Sequence, residues 1–329
     1  MKAGMNPALH PIKNPRLMSS TRHKSAITLL GPFIALMVVY AIFGMMNSAM
    51  FTQDVLLSLL TQTVIVGTAA IGMTLIIIAG GIDLSVGSII ALCGVFAATL
   101  VTHTSAPVVF LGTIALGGLC GLVNGGLTVG LRLLPFIITL GTMQIFRGAG
   151  KIATAGTPVN LPFDVTAYKL WMGGAGIPWG VWLMVLLVVL FTLILRYTRF
   201  GRHIFAVGSN EHTATLCGIN VAKVKIFVYM IGGALAGLAA VMNMAKSSQG
   251  DPTTAMGMEL DIIAAVVIGG ASLSGGEGTV LGALIGALLM TTIRTGCVLN
   301  GIPTPWTEVI AGAVIIIAVI IDRLRHRPA

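Results

Sequence analysis

Between Ser25 and Leu131 the chain carries two charged side chains, Asp54 and Asp83. No water-facing surface can be built from such a run, because soluble domains carry about 25% charged residues. Across all 329 residues 9% are charged and 56% hydrophobic, and the mean hydropathy is +0.99. A soluble domain of this length would expose far more surface than so few polar groups can cover. The chain is therefore polytopic in a membrane. Backbone groups in hydrocarbon must be satisfied internally, which leaves helices or closed barrels, and apolar runs of about 20 residues favour helices. The sequence predicts an all-α membrane protein of about ten transmembrane helices, near 26–46, 56–79, 86–102, 107–130, 134–154, 179–196, 225–244, 257–274, 279–295 and 305–321. Glycine and polar residues interrupt the third and eighth. The 42 glycines suit helices that pack closely in lipid.

The formal net charge of +9 raises nucleic acid as a partner, and its placement excludes it. Basic residues collect in short patches between apolar runs: five in the first 25 residues, Arg132 in a tight turn, five in 196–225, and Arg323, Arg325 and Arg327 at the end. Alternating ten spans puts all of these on one side, and an even count returns the second terminus there. Positive patches stay cytoplasmic, so both termini are expected inside. The organisation expected is an amino-terminal tail over 1–25 with an uncleaved first span, a transmembrane domain over 26–322, and a carboxy-terminal tail over 323–329. The stretch 155–180 then faces outward, with Trp171 and Trp179 at the interface belt. The cysteines, Cys93, Cys120, Cys217 and Cys297, have no paired spacing and read as small buried residues. No metal site is expected. The six histidines fall outside the core spans, and no nucleophile–base pair suggests an enzyme.

Polar residues inside the apolar runs carry the functional signal. "IIIAGGIDLSVGSII" (76–90) sets Gly80, Gly81, Gly87, Ser85, Ser88 and Asp83 between apolar flanks. A carboxylate facing lipid is costly, and the glycines permit a helix break whose freed groups need protein or water partners. Ser85 or Ser88 is expected to cap the helix that resumes. Asp83 has two readings: it faces a solute path, or it bonds backbone amides and holds the break. "GGASLSGG" (269–276) repeats the pattern G-G-x-x-L-S-x-G, and paired interrupted helices mark substrate paths in transporters. Asn124, Gln144 and Arg147 put polar groups within spans, suited either to a neutral polyhydroxyl solute or to bonds between helices. Glu259 and Asp261 start an apolar helix, where they complement its dipole or, alternatively, couple transport to ions. In 198–219, Asn210 is expected to cap a short helix that Gly218 ends, with Glu211 at its start and Ala214, Leu216 and Cys217 on an apolar side. Such a helix is either an interfacial linker or a handle for a soluble partner.

Three stretches, "GGIDLSVGS" (80–88), "FGRHIFAVGSNEHTATLCGI" (200–219) and "ELDIIAAVVIGGASLSGGEGTVLGALIGALL" (259–289), closely resemble the permeases of bacterial ATP-binding-cassette importers for ribose and related monosaccharides. The resemblance implies a multi-pass inner-membrane subunit without its own ATPase site. It implies a second permease subunit, identical to the first, a cytoplasmic ATPase that binds ATP and Mg, and a periplasmic sugar-binding protein. No cofactor is implied for this chain, and no phosphate loop of the form GxxxxGK[ST] occurs in it. By the same resemblance 198–219 is the coupling loop, with Arg202, Gly208, Asn210, Glu211, Ala214, Leu216 and Gly218 contacting the ATPase. Glu211 is expected to cap or pair with a cation, and Ala214 and Leu216 to fill a cleft of the partner. Ser209 stands where the family commonly has a second glycine. The alternative function is an ion- or proton-coupled secondary transporter of a small polar solute.

Overall fold

The computed structural model describes residues 20–162 and 176–325. Most of the expected amino-terminal tail, Trp171 and residues 326–329 lie outside them. The described residues form α1 (Ser20–Met46), α2 (Gln53–Ile78), α3 (Val86–Val101), α4 (Ala106–Leu131), α5 (Pro135–Ala153), α6 (Trp179–Tyr197), α7 (Arg199–Ser209), α8 (Glu211–Leu216), α9 (Val221–Ser247), α10 (Met258–Ile268), α11 (Val280–Leu299) and α12 (Thr304–Arg325). The two-residue strands β1 (Val159–Asn160) and β2 (Gln249–Gly250) pair antiparallel, Val159 opposite Gly250. Among the described residues six helices are long and apolar enough to cross a membrane: α1 from Leu29 to Met46, α2, α4, α6, α9 and α11. The apolar helices Val86–Val101 and Thr304–Ile320 are shorter. The chain is thus a polytopic helical membrane protein.

The helix expected over 257–274 stops at Ile268. Gly270, Gly275, Gly276 and Gly278 all take positive φ in the turn that follows, a conformation no helix continues through. Ahead of α10 the chain runs without helix from Asp251 to Gly257. This irregular stretch lies along α3: a Cβ on Gly250 would strike Val95 and Ala98, and one on Gly87 would strike Ala255 and Glu259. With 11 residues, α10 is about 16 Å long, roughly half the hydrocarbon thickness.

The centre of the bundle is α2, buried at every position from Thr63 to Ile78. A helix apolar all round must be enclosed by others, and α9, α10 and α11 pack against it. The closest pair is α4 with α9. Gly117, Gly121 and Gly125 recur every fourth residue on α4 and meet Gly233, Gly237 and the Tyr229 backbone on α9. Small residues at this spacing let helix backbones touch, and that contact brings Tyr229 and Asn124 to the first helix break.

Candidate functional site

The run of β-branched residues in α2 ends in a closed turn. Gly80 N–H donates to Ile77 O (2.9 Å) and Gly81 N–H to Ile76 O (2.8 Å), with Gly80 at φ 79°. After Gly81 the chain is irregular, turns at 84–85, and resumes as α3 at Val86. Asp83, 2% exposed, lies between. Its Oδ1 accepts from Ser85 N–H (2.8 Å) and the Ser85 hydroxyl (2.6 Å). Asn124 of α4 donates to Ser85 Oγ (2.7 Å) and, at 3.4 Å, to both Asp83 oxygens. The Thr142 hydroxyl donates to Asn124 Oδ1 (2.6 Å), Thr139 Oγ1 accepts from Leu84 N–H (3.1 Å), and Tyr229 donates to Ile82 O (3.3 Å). Three helices, α4, α5 and α9, therefore pin this break. Ser85 occupies the cap position of α3 but makes no side-chain cap bond, contrary to expectation: its hydroxyl donates to Asp83 and its oxygen accepts from Asn124 instead. Ser88 donates to Ser85 O.

The second break closes the same way: Gly270 N–H donates to Val267 O (2.9 Å) and Ala271 N–H to Val266 O (3.1 Å). Gly80 thus corresponds to Gly270, one residue off the register of the sequence pattern. The same closure ends α8 at Gly218 and α11 at Gly301, so it is not by itself the mark of a repeat. What joins the two breaks is contact. Gly276 N–H donates to Ile78 O (2.9 Å), tying the second break to the first. Gly208, near the end of α7, is wedged onto this joint. A Cβ there would overlap the Ile78 carbonyl oxygen and come within 2.7 Å of Gly276 N. A Cβ on Gly275 would lie 2.7 Å from Gly208 O and 3.0 Å from the Gly80 Cα. Backbone meets backbone at all three segments.

Beyond the joint, Asn210 caps α8 through Thr213 N–H (2.8 Å), and Gly218 ends it at φ 79°. Glu211 pairs with Lys225 of α9. Leu216 is 75% exposed, whereas Ala214 is 3% exposed. Ala214 therefore cannot enter a partner's cleft: the turn that returns Ile219 N–H to Ala214 O folds it into this chain. Arg202 is exposed and donates to Tyr197 O (3.4 Å).

Of the polar residues singled out in the first break, Asp83, Ser85 and Asn124 come together, while Gln144 is exposed on α5, away from that cluster. Arg147 is buried and donates to Pro252 O (3.3 Å) and Thr254 O (2.5 Å), anchoring the irregular stretch ahead of α10. Glu259 Oε1 accepts from Gly257 N–H (3.2 Å), and its buried Oε2 has no partner among the described residues. Sequence reasoning missed Arg294. Its Nε donates to Asp261 Oδ2 (2.5 Å), joining α11 to α10. The signal available was a lone charge in an otherwise uncharged helix. Among the described residues no group of His, Cys, Asp and Glu could hold a metal ion.

Residues 55–319 match the family described as branched-chain amino acid transport system / permease component. The "Ribose import permease protein RbsC" of Escherichia coli (strain K12) is 41% identical over 298 residues, 89% of this chain and 93% of that protein. The "L-arabinose ABC transporter permease protein AraH" of Azospirillum brasilense is 35% identical over 303 residues, 90% and 88% of the two chains. The "Fructose import permease protein FrcC" of Rhizobium meliloti is 34% identical over 304 residues, 89% and 84%. No solved structure matches this chain.

Proposed function

The chain belongs to the branched-chain amino acid transport system permease family, and we propose that it is the membrane-spanning subunit of an ATP-binding-cassette importer for a ribose-like monosaccharide. The observation that carries this reading is the 41% identity to a ribose import permease, continuous through both helix breaks and 199–219. The relatives named for ribose, arabinose and fructose make a sugar the substrate class, although the family's description speaks of amino acids. A cytoplasmic ATPase that binds ATP and Mg, a periplasmic sugar-binding protein and a second copy of this chain complete the transporter in the bacterial inner membrane. Ten helices enter the bilayer, both termini are cytoplasmic, and 198–219 faces the ATPase.

The geometry supports a mechanism. Leu216 on exposed α8 is a handle for the ATPase, and the Asn210 cap and the Glu211–Lys225 pair keep α8 rigid. When the ATPase closes, α8 carries α7 with it. Gly208 then displaces the joint of Ile78, Gly80, Gly275 and Gly276, and helices α2 and α10 change their angle to α3 and α11. Asp83 holds the break and does not itself carry cargo. Uptake of ribose by cells should persist when the proton gradient is dissipated and ATP is maintained. Loss under that condition would favour the ion-coupled alternative, for which Glu259, with its unpartnered oxygen, is the natural coupling group.

A further inference from the structure

A pocket of about 350 Å³ lies at the ends of α2, α11 and α12. It is lined by six polar residues, Ser58, Gln62, Arg294, Thr295, Thr304 and Thr307, with Val55, Val298 and Leu299 completing its walls. Ser58 and the joint at Ile78 are separated by roughly 30 Å of α2, so the pocket opens at the bundle end opposite 199–216. A cavity of similar size, about 320 Å³, lies among α1, α10, α11 and α12 and is lined by apolar residues. In a chain that is 56% hydrophobic, convergence of one guanidinium, one amide and four hydroxyls on a single cavity calls for a polar occupant.

The donor set identifies its class. Arg294 gives Nε to Asp261, and its two terminal nitrogens have no hydrogen-bond partner among the described residues. Its side chain is 35% exposed. Gln62 Nε2 sits 3.4 Å from both Ser58 Oγ and Thr295 Oγ1, at the outer limit of hydrogen bonding, so a better acceptor would displace both contacts. Asp261 cancels the charge of Arg294, which leaves forked donors without a net positive field. Hydroxyls, an amide and a neutralised guanidinium donate and accept together, as an uncharged polyhydroxyl requires and an anion does not. A volume near the lower end for ligand pockets, about 300 Å³, suits one sugar ring. We infer that this pocket binds the transported solute, a neutral monosaccharide, on its way to the two breaks. The inference rests on the importer reading and adds to it the place and polarity of a solute site. Because Asp261 belongs to half-helix α10, occupancy here is linked to the same element whose far end forms the second break.

The test uses the whole transporter, permease with ATPase and binding protein, in proteoliposomes, with D-ribose, L-arabinose and D-fructose as probes. Ser58→Cys is introduced with Cys217→Ser, since Cys217 is the exposed native thiol, and labelled with a small maleimide. A neutral sugar is expected to slow labelling at least threefold, gluconate to leave it unchanged, and Gln62→Leu to abolish the protection. Ser58→Trp, which fills the cavity, is expected to lower uptake at least tenfold. Labelling that no sugar slows, stronger protection by gluconate than by any sugar, or full uptake by Ser58→Trp would each overturn the site. If the unsubstituted transporter accumulates none of the sugars with ATP, the importer reading fails instead, and labelling on the same vesicles still decides whether a sugar occupies the pocket.

Discussion

The two helix breaks close with the same backbone turn and differ in how they are held. The first, Gly80 to Ser85, is fixed by side chains: Asp83, Ser85, Asn124, Thr139, Thr142 and Tyr229 bring α4, α5 and α9 onto a few residues of irregular chain. The second, Gly269 to Gly278, is built from four glycines at positive φ, with a Ser272–Ser274 hydroxyl contact (2.8 Å) and a Ser272 N–H bond to Glu277 O (3.1 Å). Glycine gives the backbone more freedom than any other residue, so the second break is expected to deform more easily. With α7 resting on both, a push at α8 should therefore pivot about the first break and deform the second.

The largest effect should come from the element the breaks share. Gly208→Val would drive its side chain into the Ile78 carbonyl and the Gly276 amide together. Sugar uptake is expected to fall at least a hundredfold with protein still in the membrane, and uptake near normal would show that the joint does not transmit. Next in size, backbone amides of 271–278 should exchange hydrogen at least tenfold faster than those of 81–85 in the intact transporter. Equal rates would erase the contrast. Asp83→Ala removes the acceptor for Ser85 and Asn124 in a buried site and should destabilise by about 1–3 kcal/mol in thermal unfolding. Asp83→Asn keeps an acceptor oxygen, so it should cost under about 1 kcal/mol and hold uptake within about twofold. A collapse of transport in that variant, with normal assembly, would instead put Asp83 in the solute path. Smallest of all, Ser274→Ala at an exposed position should change stability by no more than about 0.5 kcal/mol. If it costs as much as Asp83→Ala, the second break is not the softer one.

Local chemistry was legible in the sequence, and face and pairing were not. A carboxylate among glycines inside an apolar run marked the first break, and Asn210 and Gly218 bracketed α8, because caps and breaks depend on residues a few positions apart. The end of α10 was written in Gly269 and Gly270, but the expectation of a full-length span carried the helix past it. Gln144 looked suited to the interior, yet which side of α5 faces inward is set by its neighbours. Ala214 turned inward for the same kind of reason. The Arg294–Asp261 pair joins residues 33 positions apart and exists only once α10 and α11 pack. The joint of Ile78, Gly208 and Gly276 brings together three distant segments through backbone atoms, which no residue type announces.

The most direct test is concentrative uptake by the purified chain alone. Reconstituted in liposomes under an imposed proton or sodium gradient, it should accumulate no ribose, arabinose or fructose, and accumulation should begin only when the ATPase, the binding protein and ATP are added. Accumulation driven by either gradient without those companions would contradict a gate that is worked from outside through α7 and α8.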